Sequence, residues 1–255
     1  MRRSRLDLLL VERGLFQTRA KAQAAVMAGQ VLVDGRIAQK PGSPVSSDSA
    51  LELVKPSPYV SRGGLKLEAA LDHYQIDPKD RVCLDLGSST GGFTDCLLQR
   101  GARRVYAVDV GRRQLDDRLR QNPRVLSFEE THARRLPELG LDPPPDLAVI
   151  DVSFISLTQV LAPVVQTLKR PFDIVALIKP QFEVGPKLAP KGVVRSAENR
   201  QIAVEKVRLA LAGLGLQEQG LFESPVKGPK GNVEFFIWLR PGDRPSAAEA
   251  ETRPN

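Results

Sequence analysis

Beyond residue 64 the sequence alternates between short apolar runs and longer amphipathic stretches, and this alternation constrains the fold more than any other feature. Runs at 81–87, 104–110, 124–128, 146–152, 173–179, 217–223 and 234–240 read as strands, and stretches at 65–74, 91–100, 114–121, 154–169 and 197–213 read as helices. Several of the runs, such as Ile174 to Ile178, are apolar at every position, the pattern of strands buried on both faces. Strand–helix alternation of this kind predicts an α/β fold, with a mainly parallel sheet covered by helices on both sides. No helix separates the last two strands, so they are expected to pair as an antiparallel hairpin at the sheet edge.

Residues 1–57 follow a different pattern. Leu6, Leu9 and Leu10 form an apolar stripe that ends near Gly14. Thr18 suits the N-cap of a second helix, whose face is expected to run through Ala20, Ala24, Met27 and Ala28 and to stop at Gly29. "VLVDGRIA" signals a hairpin with Asp34-Gly35 at a type I′ turn, and "ALELV" at 50–54 a further strand. The net charge is +7, and residues 1–59 hold nine Lys or Arg against five acids. More than half of the net charge thus lies in under a quarter of the chain, which points to a polyanionic partner. Arg19 and Lys21 fall in the first turn of a helix, where cations oppose the helix dipole. A phosphate ligand would justify them there.

This segment, from Arg5 in "RLDLLLVERGLFQTRAKAQAAVMAGQVLVDG" to Val45, resembles the S4 RNA-binding domain. The resemblance implies structured RNA as the partner, gripped through backbone and shape. Arg3, Arg5, Arg19 and Lys21 are the candidate contacts. "KPSPYVSRGG" reads as a linker, with 58–64 joining the small domain to a larger one at 65–241, and the tail 242–255 is expected to be disordered. The N-terminus lacks the apolar core of a secretory signal and no apolar run approaches membrane-spanning length, so a cytoplasmic protein is expected. Cys83 and Cys96 lie in apolar company and read as core.

"CLDLGSSTGGFTD" is a strand that breaks into a Gly-rich turn and opens a helix. Asp109, at the end of the next strand, follows Gly87 by 22 residues, the placement of an acid that accepts ribose hydroxyls. A dinucleotide fingerprint would put a second glycine where Ser89 stands, and no P-loop is present. Asp85 would repel a pyrophosphate and suits a cationic amino-acid tail. These features favour S-adenosylmethionine over NAD or ATP. The candidate cofactor residues are Asp85, Gly87, Ser88, Ser89, Thr90, Gly91, Gly92, Phe93, Thr94, Asp109 and Val110.

Ligands of open α/β sheets sit at the carboxyl ends of the strands. Asp151 in "VIDVSF" and Lys179 in "LIKPQF" end apolar strands there, Lys66 lies in the helix before the first strand, and Glu234 opens the last. With "YVSRGGLKLEAAL", "VYAVDVG", "KGVVR" and "GNVEFF", these motifs resemble the TlyA family, an S4 domain joined to an FtsJ-like 2′-O-ribose methyltransferase. The resemblance implies a Rossmann-like class I fold with seven strands, the last antiparallel. It also implies S-adenosylmethionine as methyl donor, a cytidine ribose of ribosomal RNA as target, and Lys66, Asp151, Lys179 and Glu234 as the catalytic tetrad. Some members of the family are described as haemolysins.

The chemistry accounts for a lysine at a buried strand end. A 2′-hydroxyl must lose its proton as it attacks the methyl group; a neutral lysine amine beside it can take that proton, and an ammonium can stabilise the alkoxide. Burial and a second cation lower a lysine pKa while nearby carboxylates raise it, so the balance stays open at this stage. Lys66 is the expected positioner of the hydroxyl. No metal is required, and no convincing metal site is offered. Arg62 and the basic loop residues Lys187, Lys191 and Arg195 are candidate RNA contacts, and "SPVKGPKGN" at 224–232 resembles that loop. His132 falls where the donor's adenine is expected and could stack or hydrogen bond.

Four rival readings meet obstacles. Base amino-methyltransferases carry two prolines where this chain has Val152-Ser153. C5-methyltransferases need a cysteine at the later strand ends. A binding-only assembly factor would not need an intact tetrad, and a pore-forming haemolysin would need a membrane segment.

Overall fold

The computed structural model describes residues 3–27, 30–38, 40–53 and 58–242. The chain divides into two compact units that part between Pro58 and Tyr59.

The first unit contains β1 (Arg3–Arg5), α1 (Leu6–Glu12), α2 (Arg19–Met27), β2 (Val31–Val33), β3 (Arg36–Ile37), β4 (Pro44–Ser46) and β5 (Leu51–Leu53). β1 pairs with β4, and β2 sits between β3 and β5, all antiparallel. Asp34 and Gly35 both take positive φ, 51° and 74°, as a type I′ hairpin turn requires. The core of this unit is Leu6, Leu10, Ala22, Ala25, Val26 and Val31. The buried face of α2 is therefore Ala22, Ala25 and Val26, not the stripe expected through Ala20, Ala24 and Met27; Met27 is 72% exposed. Alanines on every side of this helix left its apolar face unmarked, and the packing against α1 decides it. Ala28, Gly29 and the end of the strand expected at 50–54 lie outside the described residues.

The second unit contains α3 (Gly63–Tyr74), β6 (Val82–Leu86), α4 (Gly92–Gln99), β7 (Arg104–Val108), α5 (Asp117–Arg120), β8 (Val125–Phe128), β9 (Leu147–Ile150), α6 (Leu161–Thr167), β10 (Asp173–Ile178), α7 (Pro180–Glu183), α8 (Ala197–Leu211), β11 (Leu216–Glu223) and β12 (Phe235–Pro241). They build a seven-stranded sheet of order β11-β12-β10-β9-β6-β7-β8. β6 to β10 run parallel, and β12 is antiparallel to both β10 and β11. β11 forms the edge and β12 lies inside it.

Alternate residues of the buried strands feed two cores. Leu84, Leu86, Ala148 and Ile150 pack under α6 and α8, while Cys83, Val105, Val149 and Val175 pack under α3 and α4. Both cysteines are free and buried. The linker expected at 58–64 is a correction. Tyr59 is buried in the core with α3 and α4, Val60 N donates to Asp95 at 2.9 Å, and α3 starts at Gly63. An aromatic ring with a core to enter outweighs the turn-forming composition around it. The helix expected over 154–169 is also shorter. Phe154 takes a φ of +64°, Ser156 caps a 3-10 turn, and regular helix spans only Leu161–Thr167. The tail from 243 onward lies outside the described residues, of which no helix is long and apolar enough to cross a membrane.

Candidate active site

The chain runs outward from β6 through β7 to β8, then returns to the other side of β6 as β9. That reversal is a topological switch point, where crevices open at the carboxyl ends of the strands. Leu86 pairs with Ile150 there, so Gly87 and Asp151 are the first residues beyond the sheet on either side of the crevice. Gly87 has a φ of +85°, and a Cβ on it would lie 2.6 Å from the Asp151 carbonyl oxygen. Only glycine fits this position.

The crevice is a cleft of about 1280 Å³ walled in part by Gly87, Ser89, Asp109, Val110, Thr131, His132, Asp151, Ser153, Phe154 and Gln181. Asp109 is fixed by two backbone donors, Ser89 N at 2.8 Å and Gly111 N at 2.7 Å, one on each carboxylate oxygen. His132 Nδ1 accepts from Arg134 N at 3.2 Å. Among the other expected cofactor residues, Asp85, Ser88, Thr90, Gly91, Gly92, Phe93 and Thr94 are not part of the cleft wall. Phe93 belongs to the core under α3 and α4. Asp85 is fully buried and accepts from Thr94 Oγ1 at 2.6 Å, while its Oδ1 has no partner. Burial lifts its carboxyl to about 7; the Thr94 hydrogen bond opposes the rise and the charge on Asp151 adds to it.

The four tetrad positions converge beside the cleft as two ion pairs. Lys66, on α3, donates to Glu234 Oε2 at 2.6 Å. Lys179 Nζ lies 2.7 Å from Asp151 Oδ1 and donates to Ser153 Oγ at 2.8 Å. The contact with Asp151 is an ion pair off hydrogen-bond alignment, since Oδ1 has no aligned donor. The strand register brings the pairs together. Ile178 of β10 faces Phe235 of β12, so Lys179 and Glu234 follow as neighbours at the strand ends. Gln181 reaches Glu234 from the cleft wall, with Nε2 3.5 Å from Glu234 Oε1. Each ammonium has its own carboxylate, so the cluster is neutral and neither buried charge is unpaired.

Sequence reasoning missed Ser153, Gln181 and Gly228. The first two lie within two residues of tetrad members, in "DVSF" and "KPQF", which was the available signal. Gly228 carries no such signal, yet a Cβ on it would meet Glu234 Oε1 at 2.0 Å. Phe154 is the other omission. It is 90% exposed, three residues past Asp151, and its ring stands 5.0 Å from that of Phe182.

The expected RNA contacts are exposed: Arg3, Arg5, Arg19 and Lys21 on the first unit, and Arg62, Lys187, Lys191 and Arg195 on the second. The dipole argument for Arg19 needs correction. Asp7, fully buried, accepts from Arg19 Nε at 2.9 Å, from Arg5 Nη2 at 3.0 Å and from Gln23 at 2.8 Å. The hydrogen bond from Arg5 is the main cause holding its carboxyl well below the usual range. A buried counter-charge thus accounts for Arg19 without any ligand.

The FtsJ-like methyltransferase model matches residues 59–241, and the S4 domain model matches 4–50. The chain is 47% identical to the 16S/23S rRNA (cytidine-2'-O)-methyltransferase TlyA of Mycobacterium tuberculosis, over 94% of this chain and 90% of that one. The chain belongs to the TlyA family of FtsJ-like methyltransferases. A second relative, Hemolysin A of Brachyspira hyodysenteriae, is 39% identical over 91% of this chain and 98% of its own. A solved structure of a hemolysin-named protein from Streptococcus thermophilus superposes with a TM-score of 0.74 at 42% identity, covering 96% of this chain and 91% of that one. As a TlyA-family member the chain is a methyltransferase with an S4 domain at its N-terminus.

Proposed function

We propose that the chain transfers a methyl group from S-adenosylmethionine to the 2′-hydroxyl of a cytidine ribose in ribosomal RNA. The observation that carries this reading is the pairing of Lys179 with Asp151, at the carboxyl ends of β10 and β9, and of Lys66 on α3 with Glu234 at the start of β12. Two ammonium groups suit an oxygen nucleophile that must shed a proton. The choice of cytidine and of ribosomal RNA is supported by the printed activity of the Mycobacterium tuberculosis relative.

The residues present fit the cofactor. Each Asp109 oxygen holds one backbone N–H and keeps a lone pair for a ribose hydroxyl. Val110 and His132 offer flat and apolar surface for an adenine. The unpartnered Oδ1 of Asp85 is a buried acceptor that a cationic amino group would satisfy. When bound, S-adenosylmethionine supplies an electrophilic methyl carbon on its sulfonium.

The chain supplies position and charge. Lys179 Nζ has three donor directions and commits contacts to Asp151 and Ser153, which leaves one for the substrate oxygen. There the ammonium stabilises the forming alkoxide; only as the neutral amine, with a lone pair free, does Lys179 take the hydroxyl proton itself. Lys66, anchored by Glu234, orients the hydroxyl, and in-line alignment accounts for most of the rate gain. Phe154 and Phe182 present aromatic surface to a base turned out of its stack. The exposed cations Arg3, Lys21, Arg62, Lys187, Lys191 and Arg195 serve the RNA backbone, while Arg5 and Arg19 are engaged by Asp7. Incubation with S-adenosylmethionine and ribosomal subunits, followed by mass spectrometry of the digested RNA, should yield 2′-O-methylcytidine; a base-methylated nucleoside would contradict the reading.

A further inference from the structure

A short sequence occurs twice beside the tetrad, as Pro190-Lys191-Gly192 and Pro229-Lys230-Gly231. Both copies fold into the same turn. Gly192 N donates to Ala189 O at 2.9 Å, and Gly231 N donates to Gly228 O at 3.1 Å. With proline second, the third residue of such a turn takes positive φ and suits glycine. Here it is lysine both times, with φ and ψ of 55° and 22° at Lys191 and of 57° and 17° at Lys230. A side chain in this conformation is strained, and strain of this kind gathers at functional sites.

The two turns are fastened to one another. Asn232, 3% exposed, donates from Nδ2 to Gly192 O at 2.9 Å and to Pro229 O at 3.2 Å, and its Oδ1 accepts from Val194 N at 3.0 Å. Lys230 Nζ donates to Lys191 O at 2.9 Å, a neutral partner that leaves its positive charge in place. The assembly is seated on the tetrad, because Gly228, the first residue of the second turn, packs directly against Glu234. Both lysines are exposed.

We infer that the paired turns form a two-lysine clamp for the RNA backbone next to the modified nucleotide, each ammonium taking a phosphate oxygen. This rests on the RNA-methylation reading and adds Lys230 and the coupling through Asn232. A compact ammonium at a turn tip delivers a point charge, without the fork that reads a base edge in two directions, so phosphate is the fitting ligand. The test is binding of transcribed ribosomal RNA over a salt series by wild type, Lys191→Gly, Lys230→Gly and the double variant, beside melting temperature and S-adenosylmethionine affinity. Glycine accepts this backbone without strain, so the variants should melt at or above the wild-type temperature. Each should bind RNA more weakly, with the slope of log affinity against log salt reduced by about one, and by about two in the double variant. Cofactor affinity should not change. Variants that keep the wild-type RNA affinity and slope would overturn the clamp. Wild-type protein that neither binds nor methylates the RNA would instead overturn the reading beneath it.

Discussion

Lys66 and Glu234 stand 168 positions apart in the chain, and their side chains meet at 2.6 Å in the interior. The pair joins α3, which precedes the sheet, to the start of β12, its last strand. It therefore forms only when the whole second unit is assembled, and it ties the integrity of the site to that of the fold.

Removing one partner of a buried pair leaves the other charge uncompensated, at a cost of about 3–5 kcal/mol. Glu234→Ala is expected to lose stability on that scale together with methyl transfer. The double substitution Lys66→Met, Glu234→Leu removes both charges and should recover most of the stability but none of the activity. Urea unfolding run beside a methylation assay separates the two effects. A double variant as unstable as the single one would count against the pairing.

Asp85 makes the stability of the free protein depend on pH. Its ordinary value is 3.8 and burial raises it to about 7. A raised acid favours the folded state below the lower value, and that contribution is lost as pH rises to the upper one. Asp85→Asn has no such dependence. The melting-temperature advantage of the variant over wild type should be small near pH 4, grow up to about pH 7, and stay level above it. A gap independent of pH would show that Asp85 titrates normally.

Ser153 holds Lys179 together with Asp151, accepting from its Nζ at 2.8 Å. A hydrogen bond to a charged group contributes about 1.5–3 kcal/mol, so Ser153→Ala should lower kcat by on the order of tenfold or more. Affinity for S-adenosylmethionine should hold, while the melting temperature falls by a few degrees. An unchanged kcat would mean that Asp151 alone orients the ammonium.

Phe154 combines near-complete exposure with a positive φ, which a bulky residue adopts only under constraint. Phe154→Gly relieves the backbone and should raise thermal stability slightly. It also removes a stacking surface worth about 1–3 kcal/mol per base, so methylation efficiency on RNA should fall by on the order of tenfold or more. Gains in both stability and activity would exclude the stacking role.

The fold of the second unit was legible because several of its strands are apolar at nearly every position and alternate with amphipathic helices, a pattern that a covered parallel sheet satisfies. The tetrad was legible as types and places: charged residues at the tips of apolar strands. Its pairing was not. Nothing local says that Lys66 takes Glu234 rather than Asp151; the register of β10 against β12 decides that. Tyr59 shows the opposite failure, since its neighbours are turn formers and only the finished core gives the ring somewhere to go. Arg19 was misread for a similar reason, because its contact with Asp7 spans the interval between α1 and α2. Phe154 escaped notice because its meaning lies in a backbone angle that composition does not disclose.

Lys179→Ala is the most direct test of the central claim. Wild type and variant are incubated with S-adenosylmethionine and ribosomal subunits, cofactor affinity is measured for both, and the digested RNA is analysed by mass spectrometry. The account predicts 2′-O-methylcytidine from wild type and none from the variant, at equal cofactor affinity. A variant that methylates the ribose at the wild-type rate would contradict it, and Lys179 would then be only a charged strand end paired with Asp151.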